Sequence, residues 1–99
     1  MKPFQISAPA GEELAAAITW YEAKRPGLGG EFYDAVVRAI DLIRAHPEIG
    51  TFRSGRLAHR RFALTRFPYT IVYRVREPDV YIVAIAHTSR RPGYWKNRR

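Results

Sequence analysis

The sequence predicts an α+β fold: an N-terminal strand and an antiparallel helical hairpin packed on one face of a small antiparallel β-sheet, followed by a basic C-terminal tail. Three observations predict it. Apolar residues recur at helical spacing through the first 45 residues, the period switches to two near residue 60, and Pro- and Gly-bearing turns separate the segments. Neither an amphipathic hairpin nor a one-faced sheet can bury its apolar side alone, so the two must pack together.

Phe4 and Ile6 alternate with Pro3, Gln5 and Ser7, a short strand-like opening. Ser7-Ala8-Pro9 reads as a helix start. Ser7 can cap an orphan backbone N–H, and Pro9 falls in the first turn, where a missing N–H breaks no helical bond. Glu12 and Glu13 follow in the early turns, where negative charge suits the positive helix end. Leu14, Ile18 and Tyr21 form the stripe, with Trp20 beside them expected in helix–sheet packing. Glu22 offers two partners, Arg25 or an arginine of the sheet. Arg25-Pro26-Gly27 turns the chain into a second helix over about Leu28 to Ala45, whose stripe is Phe32, Val36, Ile40 and Ile43. Asp34 and Arg38 form an i,i+4 pair worth about 0.3 kcal/mol, and Pro47 ends the helix.

Residues 50–58 are rich in Gly, Ser and Arg and read as a connection. Phe62 and Leu64 then share a strand face opposite Arg61 and Thr65, and Tyr69, Ile71, Tyr73 and Val75 line the next strand. Glu77-Pro78-Asp79 is a turn, and Val80 to Ala86 is apolar on both parities, the mark of a central strand covered on both sides. The second face of this meander carries Val72, Arg74, Val83 and Ile85, apolar in the centre and basic at its margins. Such a face reads as a groove for a partner chain. The tail from Thr88 to Arg99 reads as extended or poorly ordered, with Tyr94 and Trp95 as anchors.

The 99 residues are one domain's worth of chain, so a single domain over 1–99 is expected. The net charge of +8 is unevenly divided: residues 1–49 hold five basic and seven acidic side chains, residues 50–99 twelve basic and two acidic. Fourteen of the 17 basic residues are arginine, whose planar fork suits phosphate and carboxylate, so an anionic partner is indicated, either nucleic acid or an acidic protein. With no cysteine there is no disulfide framework and no thiolate ligand or nucleophile. No apolar stretch reaches membrane-spanning length and no signal-peptide pattern opens the chain, so a cytoplasmic protein without a membrane partner is expected.

His46, His59 and His87 lack any zinc-binding spacing, and Gly27-Leu28-Gly29-Gly30 lacks the Lys-Ser/Thr of a phosphate loop, so no metal or cofactor is expected. The chemistry left open is acid–base cleavage of RNA, which needs a base, an acid and cations over the phosphorane. For that reaction His87 is the best-placed histidine, at the end of the central strand. Arg60, Arg61, Arg66, Arg74 and Arg90 are candidates to hold phosphate, and Tyr94 to donate a proton or stack on a base. Alternatively, His87 holds the strand end or the tail in place and does no chemistry.

Taken in order, Trp20-Tyr21-Glu22, Leu28-Gly29 with Phe32, and Ala39 with Ile43 and Pro47 resemble the helical hairpin of the ParE branch of the RelE/ParE toxins. Arg66-Phe67-Pro68-Tyr69, Ile71, Tyr73, Ile85-Ala86-His87, Arg90-Arg91-Pro92 and Tyr94-Trp95 extend the resemblance across nearly the whole chain. It implies a toxin of a type II toxin–antitoxin pair, neutralised by an acidic, ParD-like or related antitoxin that occupies the groove over the sheet. On that reading Arg60, Arg61, Val72, Arg74, Val83 and Ile85 meet the antitoxin. Two activities occur in the family: ParE-like members block DNA gyrase, and RelE-like members cut mRNA on the ribosome. The first implies no catalytic residues and a target-binding surface at Arg90, Arg91, Tyr94, Trp95 and Arg98. The second implies a nuclease using His87, Arg61, Arg74, Arg90 and Tyr94, although no sheet glutamate other than Glu77 is at hand. A third reading is a small nucleic-acid-binding module without toxicity.

Overall fold

Ser7 starts the first helix as its side chain predicts: its Oγ accepts the Ala10 N–H at 3.1 Å and donates to the Val83 carbonyl at 3.0 Å, tying helix to sheet. The computed structural model describes residues 1–55 and 58–98; Arg56 and Leu57, in the expected connection, and Arg99, in the basic tail, lie outside the described residues. The elements are β1 (Phe4–Ile6), α1 (Ala8–Lys24), α2 (Leu28–Ala45), a 3-10 turn (Pro47–Ile49), β2 (Thr51–Arg53), β3 (His59–Ala63), β4 (Tyr69–Val75) and β5 (Val80–His87).

The hairpin closes tightly at its turn. Among the described residues the Glu22 carboxylate pairs with no arginine but accepts the backbone N–H groups of Gly27 and Gly29, both at 3.0 Å, and so caps the start of α2. Gly29 sits where α2 crosses α1, and a Cβ there would lie 2.7 Å from the Ile18 carbonyl oxygen. Two expectations fail on this hairpin. Trp20 does not pack on the sheet: it stays 56% exposed, edge-on to Tyr21 with the Lys24 ammonium over its ring. Among the described residues Arg38 makes no ion pair with Asp34; Asp41 pairs with Arg44 instead.

The sheet has five strands in the order β1-β5-β4-β3-β2. It is mixed, because β1 pairs in parallel with β5 while the other pairings are antiparallel. Part of the segment expected to be a connection is strand β2, which pairs Phe52 with Arg60 at the far edge. Both helices lie on one face, where Tyr21, Phe32, Val36 and Ile43 meet Phe67, Ile71, Tyr73 and Ile82. Phe32 and Tyr21 each lie 5.1 Å from Phe67, an aromatic centre for this core.

A β-bulge corrects the reading of Ile85. Val72 pairs with Ala84 and Tyr73 with Ile82, so Val83 is the extra residue, and the alternation of β5 reverses across it. Ile82 and Ile85 therefore both enter the helix-side core, while Val72, Val83, Ala84 and Ala86 face the other way. That second face is covered. Far from being extended or poorly ordered, the tail turns back over it through a series of turns and buries Trp95, 4% exposed, against those residues. No helix of the described residues is long and apolar enough to cross a membrane.

Candidate functional site

The tail is held by one carboxylate. Strand β1 pairs only with residues 80–82, so beyond Ile82 that edge of β5 has no neighbouring strand. Glu13 of α1 reaches over the edge and accepts the Ile85 N–H at 3.0 Å, the Tyr94 hydroxyl at 2.6 Å, and both arms of the Arg98 guanidinium at 3.0 and 2.9 Å. Arg98 also donates to the Val83 carbonyl at the bulge. Burial raises the Glu13 pKa, but the hydrogen bonds from Arg98, Tyr94 and Ile85 outweigh it and leave the carboxyl below its ordinary value. Burial, and then the Glu13 carboxylate, push the Tyr94 hydroxyl up to about 12. Glu13 lies in the second turn of α1, past the helix end where its charge was expected to act.

Between the folded tail and the sheet lies a pocket of about 210 Å³. Arg61 of β3, His87 at the end of β5, and Arg90 and Arg91 of the tail line it, with Thr70 and Thr88 between them and Val72, Ala86, Pro92 and Trp95 as apolar wall. Among the described residues no acidic side chain lines it. The Arg61 guanidinium lies 5.8 Å from the Trp95 ring, and its Nε finds no hydrogen-bond partner among the described residues. His87 sets its ring edge-on to Tyr69, and its Nδ1 accepts the Ser89 N–H at 3.0 Å. His59, which carried no signal in the sequence, is buried edge-on against Trp95 at 4.4 Å.

The pocket thus gathers His87, Arg61, Arg90 and Tyr94 from the expected nuclease set and leaves Arg74 outside. The expected target-binding residues divide. Trp95, Arg98 and the Tyr94 hydroxyl hold the tail down, while Arg90 and Arg91 stay exposed, Arg90 stacked on Tyr94 at 3.9 Å. The expected antitoxin set divides too. Arg61, Val72 and Val83 are on the tail side and Ile85 in the helix-side core. Arg60 donates to the Glu48 and Gly50 carbonyls, beside the chain entering β2.

A protein-family model for the ParE toxin of the type II toxin–antitoxin system parDE matches residues 4–92. The chain belongs to the ParE toxin family. It is therefore the toxin component of a ParDE-type system, with a cognate antitoxin as its partner. Among solved structures, a chain of the chromosomal ParDE system from P. aeruginosa shares this fold with a TM-score of 0.76 at 19% identity, covering 90% of this chain and 98% of that one. No curated protein matches the sequence significantly. The bulge and the Glu13 clasp shape the tail side of a ParE-family sheet here, and the arginine-lined pocket lies on that side.

Proposed function

We propose that this toxin acts by binding DNA gyrase and blocking it, that Arg90 and Arg91 on the folded tail are its principal contacts, and that it works in the cytoplasm under control of an acidic antitoxin. The observation that carries this reading is the commitment of the Tyr94 hydroxyl to holding the tail. The Tyr94 hydroxyl donates to Glu13 and titrates at about 12, far from the neutral range in which a general acid is effective. The His87 Nδ1 is engaged by Ser89. Arg90 and Arg91 are an exposed guanidinium pair, a binding device needing no chemistry of its own.

The alternative, a ribosome-dependent mRNA endonuclease, draws on the meeting of His87, Arg61 and Arg90 at one pocket. Purified toxin assayed on gyrase supercoiling and, in parallel, on mRNA in translating ribosomes separates the two. Gyrase poisoning requires loss of supercoiling with cleaved DNA trapped and mRNA intact. Codon-phased mRNA cuts with gyrase unaffected would replace it by the nuclease reading.

A further inference from the structure

We infer that the pocket under the tail seats a backbone phosphate of duplex DNA, so that the toxin grips DNA in its own right. The phosphate seat stands on the geometry of the pocket. Only the choice of DNA over duplex RNA rests on the gyrase reading, because gyrase works on duplex DNA.

Charge is the first argument. Arg44, Arg66, Arg76 and Arg98 each pair with a carboxylate. Among the described residues Arg61, Arg90 and Arg91 make no salt bridge, and all three line one pocket. Thr70 and Thr88 add hydroxyl groups to the same lining. Guanidinium and hydroxyl donors together are the usual equipment for holding phosphate oxygens. A lone carboxylate would neutralise one of the three cations. A duplex instead carries a charge about every 1.7 Å of its axis, so a phosphate in the pocket brings neighbouring phosphates to the exposed Arg90 and Arg91. The two acids of the basic half do not oppose this, since Glu77 is paired with Lys2 and Asp79 with Arg76.

The aromatic groups then choose between a duplex and a single strand. Single strands are held by cations together with open aromatic faces on which bases stack. Here Trp95 is buried beneath the tail, and Tyr94 carries Arg90 at 3.9 Å and Arg98 at 5.1 Å from its ring. Neither ring offers a base a free face. In a duplex the bases stack on one another and the phosphates point outward. Cations and hydroxyls without a stacking platform match that surface, and they read no sequence.

The test is fluorescence anisotropy of the full chain with a short labelled DNA duplex, from about 50 to about 200 mM salt and with no gyrase present. Three phosphate contacts predict a slope of log K against log salt of about −2.7. Arg61→Gln and Arg91→Gln are each expected to reduce that slope by about one, and to weaken binding to every duplex sequence alike. Arg38→Gln, an equal loss of charge at an exposed position on α2, is expected to leave the slope unchanged. Arg91 is exposed, so its variant remains informative even if Arg61→Gln disturbs the tail. An equal loss of slope in the Arg38 variant would reduce the seat to diffuse charge and overturn it. Tighter binding of a single strand of the same sequence would overturn it as well, and so would the absence of measurable duplex binding at the lowest salt. Tighter binding of duplex RNA would overturn the assignment to DNA. Since gyrase is absent from this assay, a failed supercoiling assay leaves its results untouched, and the two readings fail separately.

Discussion

Glu13 holds together what the chain separates most widely: its partners Ile85, Tyr94 and Arg98 lie 72, 81 and 85 residues away. Nothing local in the sequence marks it, since a glutamate near a helix start is explained by the helix dipole alone. Glu13→Gln should cost about 1–2 kcal/mol, because it weakens charge-assisted bonds on a partly buried guanidinium. Hydrogen exchange should show the release first in residues 83–98, and an unchanged exchange pattern there would contradict the clasp. The pH dependence follows from the depressed Glu13 pKa. Its stabilisation is fully present above the unfolded value of 4.5 and is lost as pH falls through the lower folded value. Tyr94 works in the opposite sense. Its folded pKa of about 12 exceeds the unfolded 10.0, so its contribution is complete below pH 10 and disappears as pH rises from there towards 12. Ultraviolet titration of the tyrosines should show one group ionising near 12 in the wild type that Glu13→Gln brings down.

At the scale of the elements, the local signals were legible and the long-range pairings were not. The Ser7 cap, the extent of α2 and the Glu77-Pro78-Asp79 turn follow from short-range chemistry, and each forms as read. The parallel pairing of β1 with β5 and the three-residue β2 depend on neighbours far along the chain. Ile85 was misplaced for a different reason: strict alternation holds only until a strand gains an extra residue, and Val83 supplies one. The groove expected on the sheet was real as an apolar face, but the tail's own Trp95 fills much of it. Two substitutions test the elements. Ser7→Ala removes a cap and the link to Val83, and should lower stability by about 1–2 kcal/mol in urea unfolding. Gly29→Ala drives a methyl into the Ile18 carbonyl and should cost about 1–3 kcal/mol by forcing α1 and α2 apart. A Gly29→Ala protein as stable as wild type would mean that the hairpin does not close as tightly as described.

For the whole molecule, the division of charge becomes a division of labour. The half with more acid than base builds the hairpin and one edge strand and supplies Glu13, while the basic half builds the other four strands and the tail on which the exposed arginines sit. Of the nuclease set picked out in the sequence, His87, Arg61, Arg90 and Tyr94 line one pocket and Arg74 lies outside it, because the two sides of a strand cannot be told from residue type alone. Their roles were not legible, because Tyr94 and Arg98 take theirs from Glu13 on the far side of the chain. Replacing Arg90 and Arg91 together by Ala should relieve growth inhibition at least tenfold while leaving the melting curve within a degree or two, since neither makes a salt bridge among the described residues. Full toxicity in that double variant would remove these arginines from the target surface. The central claim, that the fold is a binding inhibitor in which Tyr94 serves structure, is tested most directly by a supercoiling assay with purified toxin and gyrase beside an mRNA cleavage assay on translating ribosomes. The account predicts trapped, cleaved DNA, lost supercoiling and intact mRNA; codon-phased mRNA cleavage with supercoiling unimpaired would contradict it and return His87 and its neighbouring arginines to an acid–base mechanism.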